Sequence, residues 1–293
     1  MIGIELEFMK WLSEVLPVFV KYLALFFTQF GGELFLIVCV ALLYWLYDKK
    51  LGERLGYIGI TSAVLNGALK GIFMEKRPFQ HEGYENLKAF SGSDGATGTS
   101  FPSGHSQNSG TIFTVFYKWF KKNWLKKVCI ALIIIVPISR IILGVHFPHD
   151  VIVGSLLGII VALTMDYLLN KYAGKEIYVY IGSALVFLPF MFISKTDSFY
   201  KIYGLLIGFI CGTTIEKKYI DFSLDVSLGK KILRLLIGIV ILLGVKEGFK
   251  ILFGLFTDKE LIILDLIRYM FVGLSATALV PLMFKNKFNS KGI

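Results

Sequence analysis

Long apolar stretches separated by short polar loops make up most of the chain, and this pattern restricts the folds that it can adopt. A membrane-spanning helix needs about 20 mostly apolar residues. Nine stretches approach that length, namely residues 31–47, 55–74, 103–119, 128–145, 148–169, 176–193, 199–215, 231–254 and 261–284. We therefore predict an all-α fold, a polytopic membrane helical bundle with about nine spans.

The composition is typical of a membrane protein. Of the 293 residues, 55% are hydrophobic and 18% are charged, whereas soluble domains carry about 25% charged residues. A soluble chain of this composition would expose a large apolar surface to water. The composition therefore excludes an ordinary soluble enzyme, a disordered chain and a nucleic-acid-binding domain, and we expect no nucleic-acid partner.

The net charge of +10 has a topological explanation, because Lys and Arg are concentrated in alternate loops. Eighteen of the 31 lie near residues 49–54, 118–127, 171–175 and 217–234 and in the C-terminal tail. Loops on the cytoplasmic side of membrane proteins carry such an excess. We predict a multi-pass protein of the cell membrane with a cytoplasmic C-terminus and, given nine spans, an external N-terminus.

Polar residues are expensive at a membrane boundary and therefore informative about function. Here they form three groups, at the end of the second span, at the start of the third, and between the fourth and fifth. The order of the spans places all three groups on the extracytoplasmic face. Their members are Lys70 and Arg77, then Ser103, Gly104 and His105, then Arg140, His146 and Asp150.

The first property of these groups is an affinity for phosphate. Lys70, Arg77 and Arg140 are cations suited to the non-bridging oxygens of a phosphoryl group. Ser103 and Gly104 lie at the predicted start of a helix, where free backbone N–H groups and the helix dipole attract an anion.

The second property is the chemistry of phosphoryl transfer. His146 and Asp150 are one helical turn apart, so the carboxylate can hold one ring nitrogen and leave the other free to attack phosphorus. His105 comes from a different helix and can protonate the leaving oxygen. This set predicts a covalent phosphohistidine. Because the cations can neutralise the phosphate, we expect no catalytic metal and no cofactor.

These residues resemble the motifs of the type 2 phosphatidic acid phosphatase superfamily, KxxxxxxRP, PSGH and SRxxxxxHxxxD. Lys70 to Pro78, Pro102 to His105 and Ser139 to Asp150 match them in order and with every spacing kept. The resemblance implies His146 as nucleophile, Asp150 as its orienting partner and His105 as general acid. It implies that Lys70, Arg77, Ser103, Gly104 and Arg140 bind the substrate phosphate.

The predicted activity is hydrolysis of a lipid phosphate or diphosphate at an outward-facing site, with undecaprenyl diphosphate as the first candidate substrate. Two alternatives stay open. A lipid phosphotransferase would use the same phosphoenzyme, and a non-enzymatic transporter could use the cations to bind anions or lipids.

The motifs divide the chain into three regions. Residues 31–170 form the predicted catalytic phosphatase core. Residues 1–30 precede it as a region with an interfacial N-terminal helix, although residues 14–30 could instead span the membrane. Residues 171–293 form a C-terminal membrane extension with four spans, through which the chain could form a homo-oligomer.

Overall fold

The computed structural model describes residues 2–90, 98–194, 196–255 and 261–284, so part of the long loop between α4 and α5 and the basic C-terminal tail lie outside it. The described residues form helices and contain no strand, which confirms the predicted all-α fold. The helices are α1 Ile2–Val15, α2 Val18–Thr28, α3 Glu33–Leu42, α4 Lys49–Phe73, α5 Gly104–Trp119, α6 Asn123–Ile142, α7 Pro148–Lys171, α8 Glu176–Phe187, α9 Phe190–Ile193, α10 Asp197–Ile215, α11 Leu228–Gly254, α12 Ile262–Leu274 and α13 Val280–Phe284.

Each of the nine predicted spans overlaps one or two of these helices, but fewer helical stretches meet the length and hydropathy requirements for crossing a membrane. Five helical stretches are long and apolar enough, namely Lys49–Gln80, Pro148–Lys171, Glu176–Ile193, Asp197–Ile220 and Ile262–Phe284. Among the others, α5 has 16 residues, and α6 and α11 carry several Lys and Arg near their ends. The number of nine spans therefore remains a prediction.

The N-terminal region is two helices rather than one. Leu16 and Pro17 connect α1 to α2, and the two helices meet at an angle of 116°. Ala24 of α2 packs on Leu143 and Val145, which follow α6, while α1 packs through Leu6 and Met9 on the start of α7. The pair therefore lies against the end of the bundle that carries the three motifs. Its interfacial position, and the division of the chain into three regions, stay predictions.

Close packing of α5 against α7 positions the motifs. Gly110 and Gly158 bring the two backbones together, and a Cβ atom on Gly158 would lie 2.1 Å from the carbonyl oxygen of Gln107. The N-terminal ends of the helices meet at the same place, where the Ser103 N–H donates to the carbonyl of Asp150 at 3.2 Å. The second and third motifs are thereby held side by side.

The C-terminal part is attached to the core at both ends of α4. Near the end of α4, a Cβ atom on Gly67 would lie 3.2 Å from Phe199, so α10 begins in close contact with it. At the start of α4, Lys49 forms an ion pair of 2.6 Å with Glu216. The extension thus packs along the whole length of the helix that carries Lys70.

Candidate active site

The centre of the site is a buried imidazole–carboxylate pair. His146 lies in the short connection between α6 and α7, and its Nδ1 is 3.2 Å from Oδ2 of Asp150. Pro148 begins α7, and the Phe147 N–H donates to the same carboxylate oxygen at 2.9 Å. Asp150 is completely buried and His146 is 2% exposed. The first turn of α7 therefore fixes the carboxylate that holds the imidazole.

Ser100 completes this arrangement and is a residue that the sequence analysis missed. Its buried hydroxyl donates a short hydrogen bond to Oδ2 of Asp150 and lies 3.4 Å from Nδ1 of His146. Its backbone N–H is bound to the carbonyl of Glu75 at 2.8 Å. The loop before the second motif thus reaches back to the third, which no spacing along the chain indicates.

The protonation of His146 follows from its two neighbours. Nη1 of Arg77 lies 3.2 Å from Nε2 of His146. A guanidinium has donors but no acceptor, so this contact is a hydrogen bond only if Nε2 accepts. The remaining ring proton then lies on Nδ1, facing Asp150. The geometry favours the tautomer whose free electron pair points toward the cationic side of the site.

The electrostatic surroundings favour the same neutral form. Burial lowers the pKa of the His146 imidazole well below its usual value, and the charges of Arg77, Arg140, Lys70 and His105 lower it further. A lowered pKa means that the imidazole stays unprotonated at neutral pH. His146 is therefore in the state that a nucleophile requires.

The three predicted cations are held by oxygen acceptors around this pair. Arg77 donates to the carbonyls of Gly98 and Val145, each at 3.0 Å. Lys70 donates to the carbonyl of Thr99 at 2.5 Å. Arg140, 1% exposed, donates to the hydroxyl of Thr28 in α2 at 2.8 Å. These four acceptors are neutral oxygens of carbonyl and hydroxyl groups.

His105 and the start of α5 lie near the same cations. Ser103 is the N-cap of α5, and its hydroxyl accepts the Ser106 N–H at 3.4 Å. The connection between α2 and α3 passes close by, because a Cβ atom on Gly32 would lie 3.8 Å from Nε2 of His105. His105 thus stands at the N-terminus of a helix, beside the amides of the first turn.

Beneath the site, a buried network of polar side chains connects α4 with α5. Asn66 donates to Gln107 at 2.8 Å and to the carbonyl of Pro102 at 3.3 Å. Gln107 in turn donates to the carbonyl of Ser62 at 2.7 Å. These contacts fix the second motif against the helix that carries Lys70, although no motif includes them.

The structure brings the predicted site residues to one end of the bundle. His146, Asp150 and Arg77 are in direct contact, and Lys70, Arg140 and His105 lie near enough for their charges to act on His146. Ser103 and Gly104 begin the helix that carries His105. Four helices, α4 to α7, and the connections that carry Arg77 and His146 converge here.

Comparison with known proteins identifies the same region. The model of the PAP2 superfamily matches residues 53–173, and that of the PAP2 superfamily phosphatase transmembrane extension matches residues 200–291. No solved structure matches the chain significantly.

Several curated proteins are similar to the chain. A lipid A 1-phosphatase from Rhizobium etli is 31% identical, over 48% of this chain and 68% of its own length. Sphingosine-1-phosphate phosphatase 1 from Rattus norvegicus is 29% identical, over 90% of this chain and 71% of its own. An undecaprenyl-diphosphatase from Sulfolobus acidocaldarius is 29% identical, over 54% and 74%. The chain spans about two thirds of the length of the lipid A 1-phosphatases that it matches, 65% and 68%.

Motif spacing, family models and relatives agree, and the chain belongs to the PAP2 superfamily, the type 2 phosphatidic acid phosphatases.

Proposed function

We propose that the chain is an integral membrane phosphatase that hydrolyses a lipid phosphate or diphosphate through a phosphohistidine. The observation that carries the proposal is that each ring nitrogen of His146 has its own charged neighbour. Nδ1 faces Asp150 at 3.2 Å, while Nε2 faces Arg77 at 3.2 Å. A nucleophilic nitrogen is thereby held where a guanidinium would bind the oxygens of the phosphate that it attacks.

The reaction has two steps. In the first, Nε2 of His146 attacks phosphorus while the bond to the leaving oxygen breaks, and His105 gives that oxygen a proton. In the second, water attacks the phosphohistidine, His105 accepts the proton of the water, and inorganic phosphate leaves with His146 restored. Lys70, Arg77, Arg140 and the start of α5 stabilise the charge on the equatorial oxygens.

The position of the site suits a lipid substrate. The site lies at one end of a bundle in which five helical stretches are long and apolar enough to span a membrane. The head group of a lipid can reach such a site while its apolar tail stays in the bilayer. The names of the similar proteins concern lipid A, sphingosine 1-phosphate and undecaprenyl diphosphate, all lipid phosphates. We propose undecaprenyl diphosphate as the first substrate to test and place the site on the extracytoplasmic face.

Release of inorganic phosphate from a panel of lipid mono- and diphosphates by purified protein in excess EDTA tests the function. We expect turnover of at least one lipid without an added acceptor alcohol, because the cations replace a metal in binding the phosphate. Loss of activity on chelation would refute the metal-independent mechanism. Phosphate release that requires an acceptor would instead support a phosphotransferase.

A transport assay in liposomes separates the enzyme from a transporter. If the chain is a non-enzymatic transporter, a His146→Ala variant should transport anions or lipids across the liposome membrane as well as the wild type does. If the chain is a phosphatase, neither protein should transport them, and phosphate release should depend completely on His146. Glu82→Gln serves as the control, because Glu82 is an exposed residue of the outer loop.

A further inference from the structure

A second cluster of ionisable groups lies on the far side of Asp150 from His146. Its centre is His149, which the phosphatase mechanism does not use. Nδ1 of His149 is 2.7 Å from Oε2 of Glu5, in α1. Nε2 is 3.2 Å from Oε1 of Glu75 and 3.3 Å from Oδ1 of Asp150. Three segments distant in sequence thus direct carboxylates at one imidazole.

The hydrogen bonding of this cluster is incomplete. The short contact with Glu5 directs Nδ1 of His149 at that carboxylate, which leaves Nε2 facing oxygens of Glu75 and Asp150. Oδ1 of Asp150 is fully buried and has no hydrogen-bond partner among the described residues. A buried carboxylate oxygen without a donor costs free energy, and a cation held between this oxygen, Nε2 of His149 and the Glu75 carboxylate would satisfy all three.

The spacing of the three atoms suits a metal ion. Oxygen and nitrogen ligands lie about 2.0–2.2 Å from zinc in a tetrahedral site, which sets neighbouring ligand atoms about 3.3–3.6 Å apart. The two contacts of Nε2, at 3.2 and 3.3 Å, are close to that spacing. One ligand atom each from Glu75, His149 and Asp150 lie within 4.8 Å of one another, which leaves a fourth position for water.

We propose that Glu75, Nε2 of His149 and Oδ1 of Asp150 form a binding site for a divalent transition-metal ion such as Zn²⁺. Glu5 has the role that carboxylates commonly take beside a metal-bound histidine, since it accepts the Nδ1 proton and fixes the ring. The backbone N–H of His149 donates to Glu5 as well, at 3.1 Å, so the orientation is doubly fixed. The site lies beside the pair proposed for catalysis and uses the other oxygen of its carboxylate.

The site has a functional consequence because it shares Asp150 with the catalytic pair. A cation bound at Oδ1 withdraws negative charge from the carboxylate whose Oδ2 holds His146. It thereby weakens the support for the imidazolium that forms during phosphoryl transfer. Bound Zn²⁺ is therefore an inhibitor, and the enzyme without metal is the active form.

Metal binding is tested directly on tag-free purified protein that has been stripped with EDTA, passed through gel filtration and titrated with Zn²⁺ alone. We expect about one equivalent of Zn²⁺ per wild-type chain by calorimetry and metal analysis, and none in His149→Ala. Glu75→Gln should weaken binding at least tenfold, whereas Glu82→Gln, an exposed carboxylate of the same loop, should bind like the wild type. Thermal unfolding of each variant checks its fold.

A second variant keeps the test decisive if His149→Ala fails to fold. Glu5→Gln leaves all three ligands in place and should weaken Zn²⁺ binding by about 10–100-fold, the usual effect of losing the carboxylate beside a metal-bound histidine. Zn²⁺ should lower the turnover of the wild type and have a much smaller effect on Glu75→Gln. The proposal is overturned if the wild type binds no Zn²⁺ or if His149→Ala binds it equally well. It is also overturned if bound Zn²⁺ leaves turnover unchanged.

Discussion

The two ends of α4 both bury charged side chains, but their charges are balanced differently. At the start of the helix, Lys49 pairs with Glu216 at 2.6 Å, and Lys217 pairs with Glu53 at 2.7 Å. Arg54 forms a further pair with Asp166 nearby. At the other end, the charges of Lys70, Arg77 and Arg140 act on His146, which contacts Asp150. We call the first the balanced end, because its cations form ion pairs, and the second the cationic end, because its three cations also donate to neutral oxygens near His146.

This difference distinguishes charged residues that stabilise the fold from charged residues that bind a ligand. A buried ion pair that is satisfied internally leaves nothing for a ligand, and removing one partner chiefly affects stability. Cations that donate to neutral carbonyls and hydroxyls beside a buried imidazole are suited to binding an anion there. Substitutions at the two ends should therefore change different quantities, activity at one end and stability at the other.

The largest effect expected at the cationic end is that of His146→Ala. Without the attacking nitrogen no phosphohistidine forms, and kcat should fall by a factor of about 10⁴ or more. The thermal unfolding midpoint should stay close to that of the wild type. Phosphate release from the lipid substrate measures the loss, and turnover near the wild-type rate would remove His146 from the mechanism.

Asp150→Asn and His105→Ala should each cost a factor of about 10²–10⁴ in kcat. The first variant loses the negative charge that stabilises the imidazolium, and the second loses the proton donor. A substrate with a good leaving group separates them, because it needs no protonation and should restore much of the activity of His105→Ala alone. Equal restoration in both variants would contradict the assigned roles.

Arg77→Gln should affect both rate and pH dependence. Loss of the guanidinium removes a phosphate ligand, for which we expect a decrease of about 10²-fold in kcat/KM. Arg77 also lowers the pKa of His146, so its removal raises that pKa. The neutral form is then lost at a higher pH, and the acid limb of the kcat/KM profile should shift upward. Arg77→Lys keeps the charge and should shift the limb less, and an unmoved limb in Arg77→Gln would count against the electrostatic account.

Ser100→Ala should have a smaller effect, about tenfold on kcat, because Asp150 keeps the Phe147 N–H and His146 as partners. Ser100 acts through Asp150, so it is a positioning residue. Its loss should lower kcat with little change in KM, and Ser100→Thr, which retains a hydroxyl, should recover part of the rate. A change confined to KM would argue against positioning.

The balanced end should give the smallest change in activity. Lys49→Met leaves Glu216 buried without its cation, so the thermal unfolding midpoint should fall by several degrees. The kcat of the folded enzyme should change by less than about twofold, because Lys49 lies at the opposite end of α4 from Lys70 and the site. A large loss of kcat in a stably folded variant would show that the two ends are coupled.

The site residues that belong to one of the three motifs could be predicted from the sequence. His146 and Asp150 are one turn apart in sequence, and the helix start at Pro148 converts that spacing into a contact. Successive helices bring Lys70, near the end of α4, His105, at the start of α5, and Arg140, near the end of α6, to one end of the bundle. These predictions depend only on helix geometry and on the order of the spans.

Residues outside the motifs could not be predicted in this way. Ser100, Thr28 and Glu5 reach the site through tertiary packing of loops and of the bent N-terminal helices, and none has a fixed spacing from its partner. His149 illustrates the same point, since it lies one residue from Asp150 yet binds carboxylates from α1 and from the loop after α4. Such contacts arise from shape complementarity and not from periodicity.

The central claim is that His146 forms the covalent intermediate, and trapping that intermediate tests it most directly. A lipid substrate with labelled phosphorus is mixed with purified enzyme, quenched in alkali within milliseconds to seconds, digested and analysed by mass spectrometry. We expect acid-labile label on the peptide that contains His146, and none in His146→Ala. Label on another residue, or rapid single-turnover hydrolysis without labelled enzyme, would contradict the account.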